Sequence, residues 1–422
     1  MARLIQIFEH ESLTLIEDEH GRFLKKEELE KLYEFNDRNG NIYFTGIKRG
    51  VRFSSFVGVI QIGGLTLEIL PKTDRQAHYE QNDYDTWRKV LLRMLAICQR
   101  IRVDAVSEAS LNRRYSSLLD LYFVMYLEEI NQLIHQGLIK KYRKESGNLY
   151  ALKGRIVFPR QIQQNLIHQE RVYTEHQVYD YEHLLNQILL KGVSILSIIS
   201  HNPLIRDRIN RIKLDFPEIS EITITQQHFD NLRLNRKSEP YRRALNIARM
   251  IILNYRPDIK TGQENMLALL FDMNKLWEEY VYRMLKRCES PTLKIKEQKS
   301  KVFWEQRRIR PDIVVEYKTN GTAQTYIIDT KWKIIDTIDP ADNDLKQMFA
   351  YNLYWNAGKS MLLYPRHANQ KDMEGSFAKL RERLGENQCS LGFVDVLKNG
   401  QLNKDIGEEI LGKIGLVKGI TV

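Results

Sequence analysis

The chain has 422 residues, 43% hydrophobic and 28% charged, with a formal net charge of +10. That length exceeds one ordinary hydrophobic core and predicts two to three domains, while 10 Pro and 22 Gly exclude a fibrous or low-complexity chain. The most apolar helical stretch, ILLKGVSILSIIS, is short and carries Lys191, which excludes a membrane span, and MARLIQIFEHE has no basic segment ahead of an apolar core. Cys98, Cys288 and Cys389 lie too far apart for a zinc site or a disulfide framework, so a reduced, cytoplasmic protein is expected.

Residues 1 to about 75 read mostly as strand and turn. The clearest piece is GVIQIGGLTLEILPK (58–72), two apolar runs joined at Gly63-Gly64 and ended by Pro71. Helices are predicted over 87–101 and 116–138, the second closing at Gly137, because apolar residues recur there at three- and four-residue spacing. A strand is predicted over 150–159 and a helix over 181–200. Residues 231–260 hold eight Lys/Arg against two acids and read as a loop that becomes helical near Tyr241. Such a concentration of cations suits a phosphate backbone or a solvated face.

TGQEN (261–265) breaks the pattern, and 266–288 then reads as one long amphipathic helix. A strand is predicted at 302–307, followed by a hairpin over 312–333 turning at Asn320-Gly321. A helix at 344–357 and strands at 360–365 and 391–397 follow, the last two flanking a helix at 376–384. The expected class is mixed α/β in three parts. These are a β-rich and helical region at 1–170, a helical basic connection at 171–262, and a layered α/β domain at 263–422.

YIIDTKWK (326–333) sets a carboxylate and an ammonium side by side in an otherwise apolar strand. With period-two alternation, Asp329 and Lys331 share one face, and Ile328, Thr330 and Trp332 share the other. The hairpin brings Asp312 at the start of one strand to Asp329 at the end of the next. Two close carboxylates repel, and a hard cation such as Mg²⁺ relieves that repulsion. The carbonyl of Thr330 is a further candidate ligand. On this reading Asp329 and Lys331 face a cleft rather than each other, and Lys331 positions or helps deprotonate a water.

Pro311-Asp312, then Asp329-Thr330-Lys331, resembles the PD-(D/E)xK nuclease superfamily. The resemblance implies an additional acidic metal ligand at Glu278 on the preceding helix, and phosphate contacts from Gln347 and Tyr351 in DLKQMFAYN. LLFDMNKLWEEYV, RPDIVV and DLKQMFAY, with VGVIQIGGLTLEILPK, GLIKKYRKESGNLYALKGRI and YEHLLNQILL around Asn186, are similar to the McrC family of McrBC 5-methylcytosine-dependent restriction systems.

That family implies a Mg²⁺-dependent DNA endonuclease subunit, with Mn²⁺ as a substitute. It would act on double-stranded DNA and stimulate a McrB-like AAA+ GTPase hexamer through its N-terminal part. The chain has no G-x-x-x-x-G-K-[ST] loop of its own, which agrees with a separate motor. Arg52, Lys72, Arg143 and Arg155 are candidates for stimulating that motor. A non-catalytic adaptor of an AAA+ ring and a stand-alone repair nuclease are the alternatives.

Overall fold

The computed structural model describes residues 3–72, 81–98, 117–256, 265–319, 322–335, 339–367, 370–378 and 387–416, a mixed α/β chain with several sheets. Internal contacts gather it into two units. One comprises Met1–Arg3, Ile60–Thr66 and Glu108–Leu269; the other comprises Leu4–Val59, Leu67–Ser107 and Leu270–Val422. No helix among the described residues is long and apolar enough to cross a membrane.

In the first unit, the adjoining ends of neighbouring strands Phe56–Ile62 and Leu65–Leu70 flank the expected Gly63-Gly64 turn, where Gly63 takes a φ of +51°. Helices Leu118–Gln136, Leu184–Ile199, Pro203–Asp215 and Arg242–Asn254 pack on one another. The first begins where the Ser117 side chain accepts from the Asp120 N–H and stops at Gly137, φ +90°. Asn186, fully buried, holds this bundle together. Its amide donates to the carbonyls of Ile139 (3.0 Å) and Tyr181 (2.9 Å), and its oxygen accepts from the Tyr241 hydroxyl at 3.1 Å.

The strand expected over 150–159 is reduced to Arg155–Ile156, and Phe158–Asn165 is a helix with Pro159 in its first turn. Two long strands, Lys141–Leu149 and Val172–Asp180, were not anticipated. They alternate exposed and half-buried positions with little fully buried surface, so they lack the apolar period that marks a strand.

In the second unit, Lys26–Arg38 is a helix inside the region read as strand and turn, burying Leu29, Leu32 and Phe35 at helical spacing. The long helix expected at 266–288 is two elements: strand Met266–Asp272, then helix α1, Met273–Arg287. Asp272 makes the break, its side chain accepting from the Asn274 N–H at 3.0 Å. A short apolar run before a cap reads equally as buried strand or buried helix.

Beyond α1 come strand β1 (Leu293–Glu297), β2 (Lys301–Trp304), β3 (Arg307–Ile309), β4 (Ile313–Thr319) and β5 (Thr322–Thr330). Helix α2 (Asp342–Trp355), β6 (Lys359–Pro365), β7 (Met373–Ser376), β8 (Gln388–Val394) and helix α3 (Ile406–Lys413) complete the unit. Six of these strands form one sheet in the order β1-β4-β5-β6-β8-β7; β2 and β3 form a separate two-stranded ribbon.

The β4–β5 hairpin pairs Ile313 with Ile328 and Thr319 with Thr322; its expected turn residues, Asn320-Gly321, lie outside the described residues. β5, β6 and β8 run parallel, with α2 as the crossover between β5 and β6. Of the helix expected at 376–384, Ser376 instead ends strand β7, and 379–384 lie outside the described residues.

One sheet face buries Val314, Ile327, Leu362, Tyr364, Leu391 and Phe393 against Met348, Tyr351 and Trp355 of α2. The other meets α1, where Trp332, just past β5, lies 5.3 Å from the Trp277 ring. The strand end that carries Asp329 and Lys331 is therefore gripped from both sides.

Candidate active site

The register that pairs Ile313 with Ile328 sets Asp312 opposite Asp329. Thr330 fixes Asp312 directly: its backbone N–H and hydroxyl donate to one Asp312 carboxylate oxygen at 2.7 and 2.9 Å. Asp329 is 2% exposed, and the Lys331 ammonium stands 2.8 Å from its Oδ2. The expectation that this pair faces a cleft rather than each other is thus corrected. Side chains two residues apart on one strand edge meet readily, and a carboxylate so deeply buried needs a cation.

Lys331 also reaches Asp344 on α2 at 3.2 Å, and Lys333 reaches the same residue at 2.9 Å. Sequence reasoning missed Asp344. Its available signal was an acid in the first turn of a helix just past the D-x-K strand.

Burial pushes the carboxyls of both Asp312 and Asp329 up to about 6. The charge of Glu278 adds to this at Asp312, and the charge of Asp312 adds to it at Asp329. The Thr330 hydrogen bonds and Lys331 oppose the rise without cancelling it. Burial disfavours the Lys331 ammonium, but Asp329 and Asp344 outweigh that and hold it above the ordinary lysine value. The site thus contains two carboxylates that resist simultaneous ionisation beside a lysine that resists deprotonation.

Glu278 faces Asp312 across a cavity of about 290 Å³ that Gln298 and Arg310 also line. Its carboxylate accepts from the Gln298 amide at 2.7 Å, a contact sequence reasoning did not foresee. Among the described residues no three acidic, His or Cys side chains are grouped closely enough to hold a metal ion as they stand. The chemistry of the donors is nevertheless that of a hard cation: carboxylate oxygens, two of them buried and mutually repelling.

Gln347 and Tyr351 come together, the Gln347 amide donating to the Tyr351 hydroxyl at 2.6 Å and that hydroxyl donating to the Arg310 carbonyl at 2.8 Å. Both line a second, open cleft of about 800 Å³, which shares Gln298 and Arg310 with the first.

The residue after this constellation is anchored far along the chain. The Trp332 indole N–H donates to Oε1 of Glu9 at 2.6 Å, and the Lys72 N–H donates to the same oxygen at 2.9 Å. Burial dominates at Glu9 and pushes its carboxyl up to about 7. Because that lies above the unfolded value, the folded chain holds the extra proton, and stability falls as pH rises through the window from 4.5 to about 7. Glu9→Gln keeps an acceptor for Trp332 and is expected to flatten that fall. Thermal melts at about pH 5 and about pH 8 check it, and an undiminished fall in the variant would remove Glu9 as its source.

The cations proposed to act on a motor are largely engaged within the chain. Arg143 pairs with Asp180 at 2.9 Å and Glu145 at 3.1 Å, and Arg155 pairs with Glu175 at 2.9 Å. Lys72 lies 3.7 Å from Glu11, and Arg52 donates to Ser12 at 3.3 Å. In the basic stretch, Arg242 pairs with Glu239 at 2.6 Å and Arg249 with Asp230 at 3.1 Å, so its excess charge is partly answered locally.

A family model described as McrBC 5-methylcytosine restriction system component matches residues 51–365, about three quarters of the chain. Over 229 residues the chain is 22% identical to the type IV methyl-directed restriction enzyme EcoKMcrBC of Escherichia coli (strain K12). That match covers 51% of this chain and 65% of the relative, so the chain spans less than two thirds of the curated relative's length.

The fold is similar to a chain in a half-complex of Thermococcus gammatolerans McrB AAA+ hexamers with bound McrC. The TM-score is 0.70 over 97% of this chain and all of that one, at 18% identity. A chain of the T. gammatolerans McrBC complex solved by cryo-electron microscopy gives a TM-score of 0.50 over 67% of this chain and 87% of that one, at 19% identity. At these identities the likeness is one of fold.

Proposed function

Because the chain belongs to the family of McrBC 5-methylcytosine restriction system components, we propose that it is the nuclease subunit of such a system, hydrolysing DNA phosphodiester bonds. The observation that carries this reading is the Asp312–Thr330–Asp329–Lys331 cluster at the adjoining ends of two inner strands of a sheet flanked by α1 and α2, the arrangement expected of a PD-(D/E)xK core. An adaptor that had given up catalysis would have no need to keep two repelling carboxylates buried beside a lysine.

Asp312 and Asp329, with Glu278 and the Thr330 carbonyl, would hold Mg²⁺, with Mn²⁺ as a substitute. When bound, the ion supplies Lewis-acid charge and lowers the pKa of a water. Thr330 orients Asp312 through two hydrogen bonds, and Asp344 helps hold Lys331 in place. Lys331, held beside Asp329 and Asp344, would position water and stabilise negative charge building on the phosphate. Gln347 and Tyr351 line the adjoining cleft as phosphate contacts.

A McrB-like AAA+ GTPase hexamer is the proposed partner, by extension from the T. gammatolerans assembly. One exposed surface in the first unit supports a protein partner. Around helix Phe158–Asn165, Phe158, Ile162, Leu166 and Ile167 are 62 to 87% exposed, more apolar side chain than one short helix normally leaves in water.

The test mixes the chain with such an AAA+ protein, a 5-methylcytosine-containing duplex, GTP or ATP, and Mg²⁺. Cleavage is expected, and EDTA is expected to stop it. Intact DNA with every combination of nucleotide, modification and divalent metal would overturn the nuclease reading.

A further inference from the structure

The open cleft beside the candidate site has two walls, of which one, the ribbon, lies outside the nuclease constellation. One wall is the β2–β3 ribbon, which reverses at Glu305 with a φ of +49°; the other is the face of α2 that presents Lys346, Gln347 and Tyr351. Arg308, Arg310 and Lys346 line it, and none of the side chains lining it is a carboxylate. Arg308 is steered by Ser300, whose hydroxyl accepts from its Nε at 2.9 Å; Lys346 makes a loose exposed contact with Asp342 at 3.9 Å.

The ribbon also leaves Val302, Phe303 and Trp304 52, 49 and 57% exposed, with Arg307 stacked over the Trp304 ring. Phe303 lines the cleft, its ring 5.7 Å from that of Tyr354. Exposed aromatics beside a cluster of cations are the chemistry of a nucleic-acid groove, in which phosphates meet guanidinium and ammonium groups and an apolar ring meets a sugar. A protein partner would more often meet a ring of mixed charges around such aromatics.

Continuity with the candidate site decides the occupant. Arg310 lines both cavities and stands two residues before Asp312, so a backbone lying along Arg308 and Arg310 leads to the cavity that Asp312 and Glu278 line. We infer that the β2–β3 ribbon and α2 clamp the phosphate backbone of duplex DNA beside the bond to be cut, with Arg308, Arg310 and Lys346 as phosphate contacts and Phe303 as an apolar contact to the sugar. This rests on the nuclease reading of the same unit. It assigns DNA contact here rather than to the basic stretch at 231–260.

The experiment measures binding of a short fluorescein-labelled duplex to the full chain by anisotropy, with Ca²⁺ in place of Mg²⁺, across a salt series. Arg308→Ala with Arg310→Ala is expected to weaken binding at least tenfold and to lower the slope of log affinity against log salt by about 2. Arg308→Lys with Arg310→Lys is expected to keep the slope. Phe303→Ala is expected to weaken binding with the slope unchanged, and thermal melts exclude unfolding as the cause in each variant.

If the wild type binds and cuts DNA while the double Ala variant keeps wild-type affinity and slope, the clamp is refuted and the nuclease reading stands. If the wild type neither binds nor cuts, with or without its motor, both fall. If the variants lose co-elution with the AAA+ protein but keep DNA affinity, the ribbon is a protein-docking surface and the clamp is likewise refuted.

Discussion

Asp329→Ala and Lys331→Ala are each expected to reduce DNA cleavage by on the order of 10² to 10³-fold or more, while nucleotide hydrolysis stimulated in the AAA+ partner persists. The two substitutions should differ in stability, and that difference separates chemistry from folding. Lys331→Ala leaves Asp329 buried and without its cation, which costs on the order of 3 kcal/mol unless the carboxyl takes up a proton. Asp329→Ala leaves Lys331 its second partner, Asp344, at 3.2 Å, and should cost less.

Pairing Asp329→Asn with Lys331→Met removes both charges. It is expected to regain most of the melting temperature lost in Lys331→Ala while recovering no cleavage. Cleavage that returns with stability would reduce the pair to a structural salt bridge. Cleavage that survives either single substitution would remove the residue from the site altogether.

The part of this site that sequence carried was the part set by local rules. Period-two alternation put Asp329 and Lys331 on one face and Trp332 on the other, and Trp332 does meet α1 while Lys331 meets α2. A hairpin with a short turn obliges Asp312 to lie near Asp329, and the register bears that out. What stayed hidden was set by distance or by the absence of a period. The Glu9–Trp332 hydrogen bond spans 323 residues of chain, and no local pattern distinguishes Glu9 from its neighbours.

The β2–β3 ribbon was compressed into a single strand at 302–307. Its residues are nearly all exposed, so no buried face imposes an alternation. The helix drawn from 266 failed for the opposite reason: MLALLFD is so uniformly apolar that strand and helix fit it equally, and only the Asp272 cap decides. Glu278 was found on the expected helix, but its hydrogen bond to Gln298 depends on a β1–β2 connection that sequence did not resolve.

The second large effect concerns pH and divalent cations together. Asp312 and Asp329 have folded values of about 6 against an ordinary 3.8, so the folded chain retains a proton that the unfolded chain has lost, and stability declines as pH rises from about 4 to about 6. Above that window both carboxylates are ionised at the expense of stability, which a bound cation would offset.

Ca²⁺, a hard cation that takes oxygen ligands, is therefore expected to raise the melting temperature by a few degrees at about pH 7.5. At about pH 5, where protons compete for the same oxygens, the rise should be much smaller. Asp312→Asn with Asp329→Asn is expected to melt higher than the wild type at neutral pH without metal, to keep only the part of the acid-side dependence that Glu9 contributes, and to ignore Ca²⁺. A melting temperature that responds to Ca²⁺ equally in wild type and double variant would mean the cation binds elsewhere. No response in the wild type at neutral pH would mean that the two aspartates repel each other for some purpose other than holding a metal.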